Sequence, residues 1–376
     1  MRSEKRLVIF FDELSWLASL GSKFLDFWGH FWNSWASMQN LVLVLCGSAS
    51  SWIIKKVIND KGGLHNRITR YLHLKPFSLA ETEEFLQVRG IHLSRYQIVQ
   101  IYMALGGLPL YLEALIPGKS AIQNINDICF SETGLLKNEF SRLYSALFDQ
   151  ADHHIAVIRA LAQKQQGLTR TEIIREARIP NGSTATVVLE ELEQSDFILA
   201  FHPYGKKKKD KVYRLIDEYS LFYLRFIENT AYEGEGTFMQ LSQMQAYRIW
   251  CCYAYESICM KHVPSIKKAL GVSGVYTTTH SYYRSASAEE PGLQIDMLIE
   301  RADQVINLLE IKFYNDQITL SEEDALKLRN RLFLFMRLTK TRRQVLWTMV
   351  TTFGLKHNRH SLGLVTHVLT LEDLFV

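Results

Sequence analysis

The stretch from residue 292 to residue 313 reads GLQIDMLIERADQVINLLEIKF, and it decides the fold of the C-terminal part of the chain. Two apolar runs flank the charged segment ERADQ, a pattern that is typical of two strands joined by a turn. A period of two residues places Glu310 and Lys312 on the same face of the second strand. The 14-residue step from Asp296 to Glu310 fits a hairpin that brings the two carboxylates side by side.

The residue types in this hairpin point to the hydrolysis of phosphodiesters. Two carboxylates can share a Mg²⁺ ion, and a lysine beside them can orient or activate the attacking water. The neighbours of Glu310 and Lys312 are apolar, which predicts a buried strand, and a buried Glu and Lys must be paired or must hold a ligand. Glu256, on a predicted helix upstream, could add a further ligand. The combination predicts an α/β fold of the PD-(D/E)XK nuclease type, with a solvated strand of alternating Glu and Lys as the alternative.

A second motif lies at the beginning of the sequence. Residues 6–11, RLVIFF, form an apolar run typical of a strand buried on both faces of a parallel sheet, and Asp12 and Glu13 follow it. This is the Walker B pattern, in which Asp12 could hold Mg²⁺ through water and Glu13 could polarise the attacking water. A carboxylate pair that caps a surface helix is the alternative interpretation.

The residues after this motif predict the rest of a nucleotide-binding sheet. Residues 40–46 predict a second buried strand, and residues 71–74 predict a third, shorter one. Ser48 could sense the γ-phosphate, and Arg67 and Arg70 could stabilise phosphate charge. The alternation of strand, helix and strand predicts an open α/β sheet. The aromatic stripe at positions 24–35 is expected to pack against this sheet, and a surface for a partner is the alternative.

Nucleotide binding also needs a P-loop, GxxxxGK[ST], whose backbone N–H groups wrap the phosphates. The sequence offers Gly118, Lys119 and Ser120, but a predicted helix precedes them, and Glu113 stands where the first glycine is required. No other stretch qualifies. We therefore predict that this chain hydrolyses ATP only if a further segment supplies the P-loop.

The middle of the sequence predicts two further modules. Ser78 and Glu81 form a capping-box pattern that opens a helical region over residues 76–150. Residues 151–230 then show three short helices and a β-hairpin around Lys206 and the three lysines that follow it, which is a winged-helix pattern. The predicted recognition helix, residues 181–196, contains no Lys or Arg. Packing or regulation is therefore one interpretation of this module, and DNA contact through the lysine wing is the other.

These motifs give the sequence a resemblance to a known family. IFFDELSWL, LCGSASSW, KGGLHNRIT, LKPFSLAETEEFL and GGLPLYLEAL, in that order, resemble the archaeal and bacterial ATPase family of the STAND branch of AAA+ P-loop NTPases. AYESICMKHVPSIKKALGV, GLQIDMLIERADQVINLLEIKFY, TTFGLKHN and LEDLF resemble the nuclease-like C-terminal domain that accompanies this family. The resemblance implies that Gly107 and Pro109 form a GxP motif near the nucleotide, for which a turn between helices is the alternative. It also implies that Asp296, Glu310 and Lys312 are the D, E and K of the nuclease motif.

The resemblance implies a chain of four parts. These are a partial AAA+ P-loop parallel sheet (1–75), a helical lid (76–150), a winged helix-turn-helix (151–230) and an α/β PD-(D/E)XK nuclease-like domain (231–376). Because the family places the P-loop strand inside the sheet, we predict that the strands at 6–11 and 40–46 expose apolar faces. A complementing N-terminal segment or a second copy of the chain would be the partner that covers them.

Composition sets the outer limits. The 376 residues are 47% hydrophobic and 22% charged, which excludes a disordered, collagen-like or small disulfide-stapled protein. A net charge of +4 is too small to indicate a nucleic-acid or membrane partner by itself. Five cysteines without metal-binding spacing predict reduced thiols, and the longest apolar run, residues 41–46, is too short for a membrane helix. We predict a soluble, cytoplasmic protein without a membrane partner.

The function that these observations predict is that of an ATPase-family protein whose nuclease-like domain acts on DNA with Mg²⁺. ATP would be a cofactor only if another segment supplied the P-loop. The alternative is a nucleotide-gated regulatory or interaction protein with an inactive nuclease fold. In the first interpretation the chain is a DNA endonuclease as well as a member of an ATPase family. In the second it is a nucleotide-controlled switch.

Overall fold

The computed structural model describes residues 6–17, 23–47, 57, 67–148, 150–206, 210–230, 236–287 and 290–376. It has a mixed α/β architecture with one parallel pair of strands, one five-stranded mixed sheet, one three-stranded antiparallel sheet and a short parallel pair. The strands are β1 (Leu7–Phe11), β2 (Leu41–Leu45), β3 (Leu168–Thr169), β4 (Ile198–Phe201), β5 (Val212–Leu215), β6 (Thr277–Arg284), β7 (Leu293–Arg301), β8 (Val305–Lys312), β9 (Ile318–Thr319), β10 (Gln344–Thr351), β11 (Leu355–Lys356) and β12 (Val365–Leu369). Of the helices in these ranges, none has the length and apolar character needed to cross a membrane.

The helices account for most of the remaining described residues. They span Leu14–Leu17, Phe24–Ser34, Leu79–Val88, Arg95–Leu105, Pro109–Glu113, Ala121–Cys129, Glu139–Leu147, Ala151–Ala162, Arg170–Ala177, Ser183–Gln194, Glu218–Phe222, Thr237–Leu241, Gln245–Lys261, Val263–Ala269 and Glu322–Thr339. Two 3₁₀ turns, Ala36–Met38 and Leu371–Leu374, and a π-helical turn, Tyr223–Ile227, complete the set.

The N-terminal strands form a two-stranded parallel sheet. β1 pairs with β2 from Leu7–Leu41 to Phe11–Leu45. Of the aromatic stripe, Trp28 is buried and meets the Phe11 ring edge-on at 4.7 Å, whereas Phe27 is 63% exposed. The predicted third strand at residues 71–74 is wrong, because this segment forms no strand and pairs with no strand in the described chain.

The helical region begins as its sequence predicts. The Ser78 hydroxyl accepts from the Glu81 N–H, and the Glu81 carboxylate accepts from the Ser78 N–H, so the capping box that opens the helix Leu79–Val88 is confirmed. The next helix, Arg95–Leu105, is buried along most of its length. Its Tyr96 ring stacks on Phe313 of the C-terminal region at 5.1 Å and on Phe353 at 5.4 Å.

The middle of the chain holds three short helices and the three-stranded sheet. Helices Ala151–Ala162, Arg170–Ala177 and Ser183–Gln194 precede β4 and β5, which pair antiparallel, and β3 lies on the other side of β5. The turn after β4 joins the C-terminal region, since the Tyr204 N–H donates to the Ser281 carbonyl at 2.9 Å. We call residues 151–227 the middle module.

The C-terminal sheet has the order β12-β10-β8-β7-β6. β12, β10 and β8 run parallel, while β7 is antiparallel to both β8 and β6. The two predicted strands around residues 296 and 310 are therefore confirmed. One face packs on the core shared with the helical region, and the other packs on the helix Glu322–Thr339.

Candidate functional site

The register of the central hairpin brings the predicted carboxylates together. Met297 of β7 is paired with Leu309 of β8, and the residues next in line on the two strands are Asp296 and Glu310. The two carboxylates are close enough that the charge of Glu310 raises the pKa of Asp296. Ile306 and Leu308 contribute to the core beneath the helix Glu322–Thr339, so the alternation of β8 also directs Glu310 and Lys312 toward that helix.

Glu310 is buried and is held by two cations. Lys312 Nζ lies 2.9 Å from Glu310 Oε1, and Arg331 Nη1 lies 2.6 Å from Oε2. Burial alone would raise the pKa of Glu310, but Arg331 and Lys312 together keep it below its ordinary value. Arg331 also donates to the Gln294 carbonyl at 2.6 Å and lies over the Trp347 ring at 5.2 Å. Both oxygens of the Glu310 carboxylate therefore already face positive charge.

The negative charge of Asp296 is less well compensated than that of Glu310. Its described hydrogen-bond partner is the side-chain amide of Gln294, which donates at 3.4 Å. Burial raises the pKa of Asp296, and the neighbouring Glu310 raises it further, against the opposing charges of Arg331 and Lys312. Removing a carboxylate from water is costly unless it is paired or bound to a cation, so Asp296 marks a place where added positive charge would be stabilising.

Glu256 joins the cluster from the helix Gln245–Lys261. Its Oε2 lies 3.5 Å from Nη2 of Arg214, which is 6% exposed and comes from β5 of the middle module. Burial, and then the charge of Asp296, raise the pKa of Glu256 to about 7, although Arg214 opposes this. The four residues predicted from the sequence, Glu256, Asp296, Glu310 and Lys312, thus belong to one electrostatic cluster.

Two residues of the cluster were missed by the sequence interpretation. Arg214 and Arg331 reach it from a different module and from a different helix, 82 residues before Asp296 and 21 residues after Glu310. Local spacing contains no signal for such contacts. The available signal is weak: each arginine lies in an otherwise apolar or helical stretch, where a cation needs an acidic partner.

The cluster faces two cavities. Glu310, Lys312 and Arg331 line an open cavity of about 890 Å³ beside the helix Glu322–Thr339. Glu256 and Asp296 line a smaller one of about 110 Å³, together with Arg214 and Tyr253. In the described ranges, no set of three or more His, Cys, Asp or Glu side chains converges as metal ligands. Asp296 and Glu310 are a pair of oxygen donors, and Mg²⁺ commonly takes one or two carboxylates and fills its remaining positions with water and phosphate oxygens.

The N-terminal candidates lie at the carboxyl end of β1. Asp12 and Glu13 follow the strand directly, and the Asp12 carboxylate accepts from the Glu13 N–H at 3.1 Å. The thiol of Cys46, which follows β2, lies beside them, since burial and then the charge of Asp12 raise its pKa. Arg67 is exposed, and Ser48 lies outside the described residues.

Gly107 and Pro109 lie in the helical region. Phe77 donates its N–H to the Gly107 carbonyl at 2.8 Å, and Pro109 is the first residue of the helix Pro109–Glu113. A proline at this position is favoured because its missing N–H would have no partner within the helix. The described contacts of these two residues are thus those of a turn between helices.

Comparison with known proteins gives few matches. No protein-family model matches the chain, and no curated protein matches it. Among solved structures, it is similar to a Walker-type ATPase of Pyrococcus abyssi, with 18% sequence identity and a TM-score of 0.42. That match covers 58% of this chain and 63% of the chain of the ATPase.

Proposed function

We propose that the C-terminal region is a divalent-cation-dependent phosphodiesterase that acts on nucleic acid. The observation that carries the proposal is the register of β7 and β8, which puts Asp296 beside Glu310, together with Lys312 at 2.9 Å from Glu310. The chemistry of the donors fits a cation, because Asp296 is a half-buried carboxylate that lacks a salt bridge among the described residues. A bound Mg²⁺ would polarise the phosphate and lower the pKa of an attacking water.

Each residue of the cluster has a distinct role in this proposal. Asp296 and Glu310 hold the cation, and Lys312 orients the water or stabilises the charge that develops on the phosphate. Glu256 acts as an outer carboxylate next to Asp296. Arg331 competes with the cation for Glu310, so its side chain has to leave Oε2 or to share that oxygen when the cation binds.

The test is cleavage of labelled DNA by the full chain with Mg²⁺ or Mn²⁺. We expect Lys312→Ala and Asp296→Asn each to reduce cleavage by about 10²-fold or more, as the loss of a positioned catalytic group commonly does. Lys356→Ala is the matched control, because this exposed lysine lies on β11, outside the residues that line either cavity of the cluster. Cleavage that survives both cluster variants would contradict the proposal.

The second candidate function is a regulatory or interaction protein with an inactive nuclease fold. One observation favours it: both oxygens of Glu310 are occupied by Lys312 and Arg331, at 2.9 and 2.6 Å, so this carboxylate needs no metal for compensation. The same assay separates the two candidates. Nucleic-acid binding without cleavage under every divalent cation would favour the second.

The N-terminal region adds a proposed partial nucleotide-binding element, which would bind nucleotide only if a further segment supplied the P-loop. Support comes from the parallel pairing of β1 and β2, which puts Asp12 and Glu13 at the carboxyl edge, where Mg²⁺ and phosphate are bound in P-loop enzymes. Since the sequence contains no P-loop motif, we expect the isolated chain to show no saturable binding of a fluorescent ATP analogue. Saturable binding that Asp12→Ala abolishes would contradict this expectation.

A further inference from the structure

A cation-lined cavity lies between the middle module and the helix Gln245–Lys261. Its volume is about 620 Å³. Four cations line it, Arg159, Lys164, Arg214 and Arg225, and Glu228 is the one acidic residue among its described lining. We call this space the module cavity. Its excess of positive charge favours the binding of an anionic ligand.

The charges of this cavity are unequally compensated. Glu228 is paired with Arg159, because Arg159 Nη1 donates to Glu228 Oε2 at 3.0 Å. Lys164 and Arg225 are exposed, and neither forms a salt bridge with a described residue. These two side chains therefore remain available to phosphate oxygens.

Arg214 forms the floor of the cavity. It is 6% exposed, and its partners are Ser257 Oγ at 3.2 Å, Met260 Sδ at 3.4 Å and the Glu256 carboxylate at 3.5 Å. A guanidinium has five N–H donors, and a buried one is costly unless they are used. Arg214 is thus a buried cation whose partners lie at 3.2 Å or more, and it lines two cavities.

The module cavity continues toward the carboxylate cluster. Arg214, Gln165 and Tyr253 line both it and the 110 Å³ cavity, and that smaller cavity reaches Glu256 and Asp296. The half-buried Tyr253 stands where the two spaces join. Cations that hold phosphates and an aromatic ring that stacks on a base are the usual elements of a site for single-stranded nucleic acid.

Building on the proposed nuclease function, we propose that the module cavity binds one or two nucleotides of a single nucleic-acid strand, next to the phosphate that reaches Asp296. Lys164 and Arg225 contact the phosphates from the rim, Arg214 contacts one from the floor, and Tyr253 stacks on a base. A volume of about 620 Å³ lies within the range of small-ligand sites.

The test measures binding separately from cleavage. Fluorescence anisotropy of labelled oligothymidylate is recorded in EDTA, with the full chain, over a range of salt concentrations. We expect the double variant Lys164→Ala/Arg225→Ala to flatten the slope of log K against log salt by about 1.4, or about 0.7 for each lost phosphate contact. The control, Arg142→Ala/Lys268→Ala, removes two exposed cations outside the cavity and should leave the slope unchanged.

The outcomes distinguish this inference from the proposed function. If the protein binds with the expected change in slope but cleaves no DNA, the result supports the strand site and contradicts the proposed nuclease function. If the protein cleaves DNA but the double variant leaves the slope unchanged, the strand site is overturned and the proposed nuclease function stands. Displacement of the oligothymidylate by stoichiometric ATP would also overturn it, because the cavity would then be a site for free nucleotide.

Discussion

Gly107 shows how closely two backbones approach in the helical region. A Cβ atom at this position would lie 2.1 Å from the Phe77 carbonyl oxygen and 2.8 Å from the Phe77 nitrogen. That carbonyl is also fixed from another side, since the Tyr102 hydroxyl donates to it at 2.7 Å. The obstacle is backbone, so rotating a side chain cannot relieve it. Packing is therefore a sufficient reason for glycine at position 107.

Replacing this glycine should destabilise the fold. We expect Gly107→Ala to cost about 2–3 kcal/mol, as overpacking of a rigid site commonly does, and to lower the midpoint of thermal unfolding. Gly274→Ala is the matched control, because its added Cβ would meet nothing within 4 Å. Its cost should stay within about 0.5 kcal/mol. Equal midpoints for the two variants would show that the Phe77 backbone yields easily.

Single residues also show how far the sequence alone could lead. Asp296, Glu310 and Lys312 could be grouped because one hairpin holds them, and the period of a strand fixes which side chains share a face. Arg331 and Arg214 could not be grouped with them, because their contacts arise from the packing of separate elements. The pairing of Arg331 with Glu310 at 2.6 Å changes the site most, since it places a competing cation on a proposed metal ligand.

At the scale of elements, the N-terminus of the helix Leu79–Val88 depends on a distant histidine. The Leu79 N–H donates to Nε2 of His262 at 3.0 Å, and Nδ1 of this ring donates to the Ile258 carbonyl at 2.8 Å. With Nε2 as an acceptor, the ring is neutral. His262 thereby links the helical region to the end of the helix Gln245–Lys261.

This link predicts a loss of stability in acid. Burial lowers the pKa of His262, and Lys261 lowers it further, against Glu81 and the hydrogen bond to Ile258. Because the folded pKa is below the ordinary 6.5, the stability from the neutral ring is complete above 6.5 and is lost as pH falls through the folded value. We expect the melting temperature to fall more steeply between about pH 7.5 and pH 5.5 in wild type than in His262→Gln. Parallel pH profiles would contradict this.

Elements with strong local signals were predictable, and those without were not. The capping box at Ser78 and the apolar runs of β7 and β8 specify their structures within a few residues of sequence. The segment at residues 71–74 has the composition of a strand, but a strand also needs a neighbour, and the described chain supplies none.

At the scale of the whole molecule, the strand β1 differs from the strands of the C-terminal sheet in its exposure to solvent. Leu7, Val8 and Phe10 are between 56% and 59% exposed, although their sequence is that of a doubly buried strand. Among the described residues no further strand pairs with β1 or β2, and a two-stranded sheet with exposed apolar side chains is marginal in water. Its described core, by contrast with that of the C-terminal sheet, is a small cluster around Leu14.

We therefore expect uneven hydrogen exchange along the chain. Amides of β1 and β2 should exchange much faster than those of β7 and β8, because local opening of the small sheet costs little free energy. Hydrogen-exchange mass spectrometry of the monomer is the measurement, and the buried strand β8 is the internal control. Protection of β1 equal to that of β8 in a monomer would contradict the prediction.

The stack of Tyr96 between Phe313 and Phe353, at 5.1 and 5.4 Å, bears on how such a chain can be dissected or recombined. Phe313 directly follows Lys312, so the neighbour of the proposed catalytic lysine is stacked on a ring that the helical region contributes. A C-terminal fragment transplanted onto another protein would leave this aromatic surface bare. Lineages that exchanged the C-terminal region by gene fusion would therefore have to carry the helix Arg95–Leu105 with it, or replace Tyr96 with another flat ring.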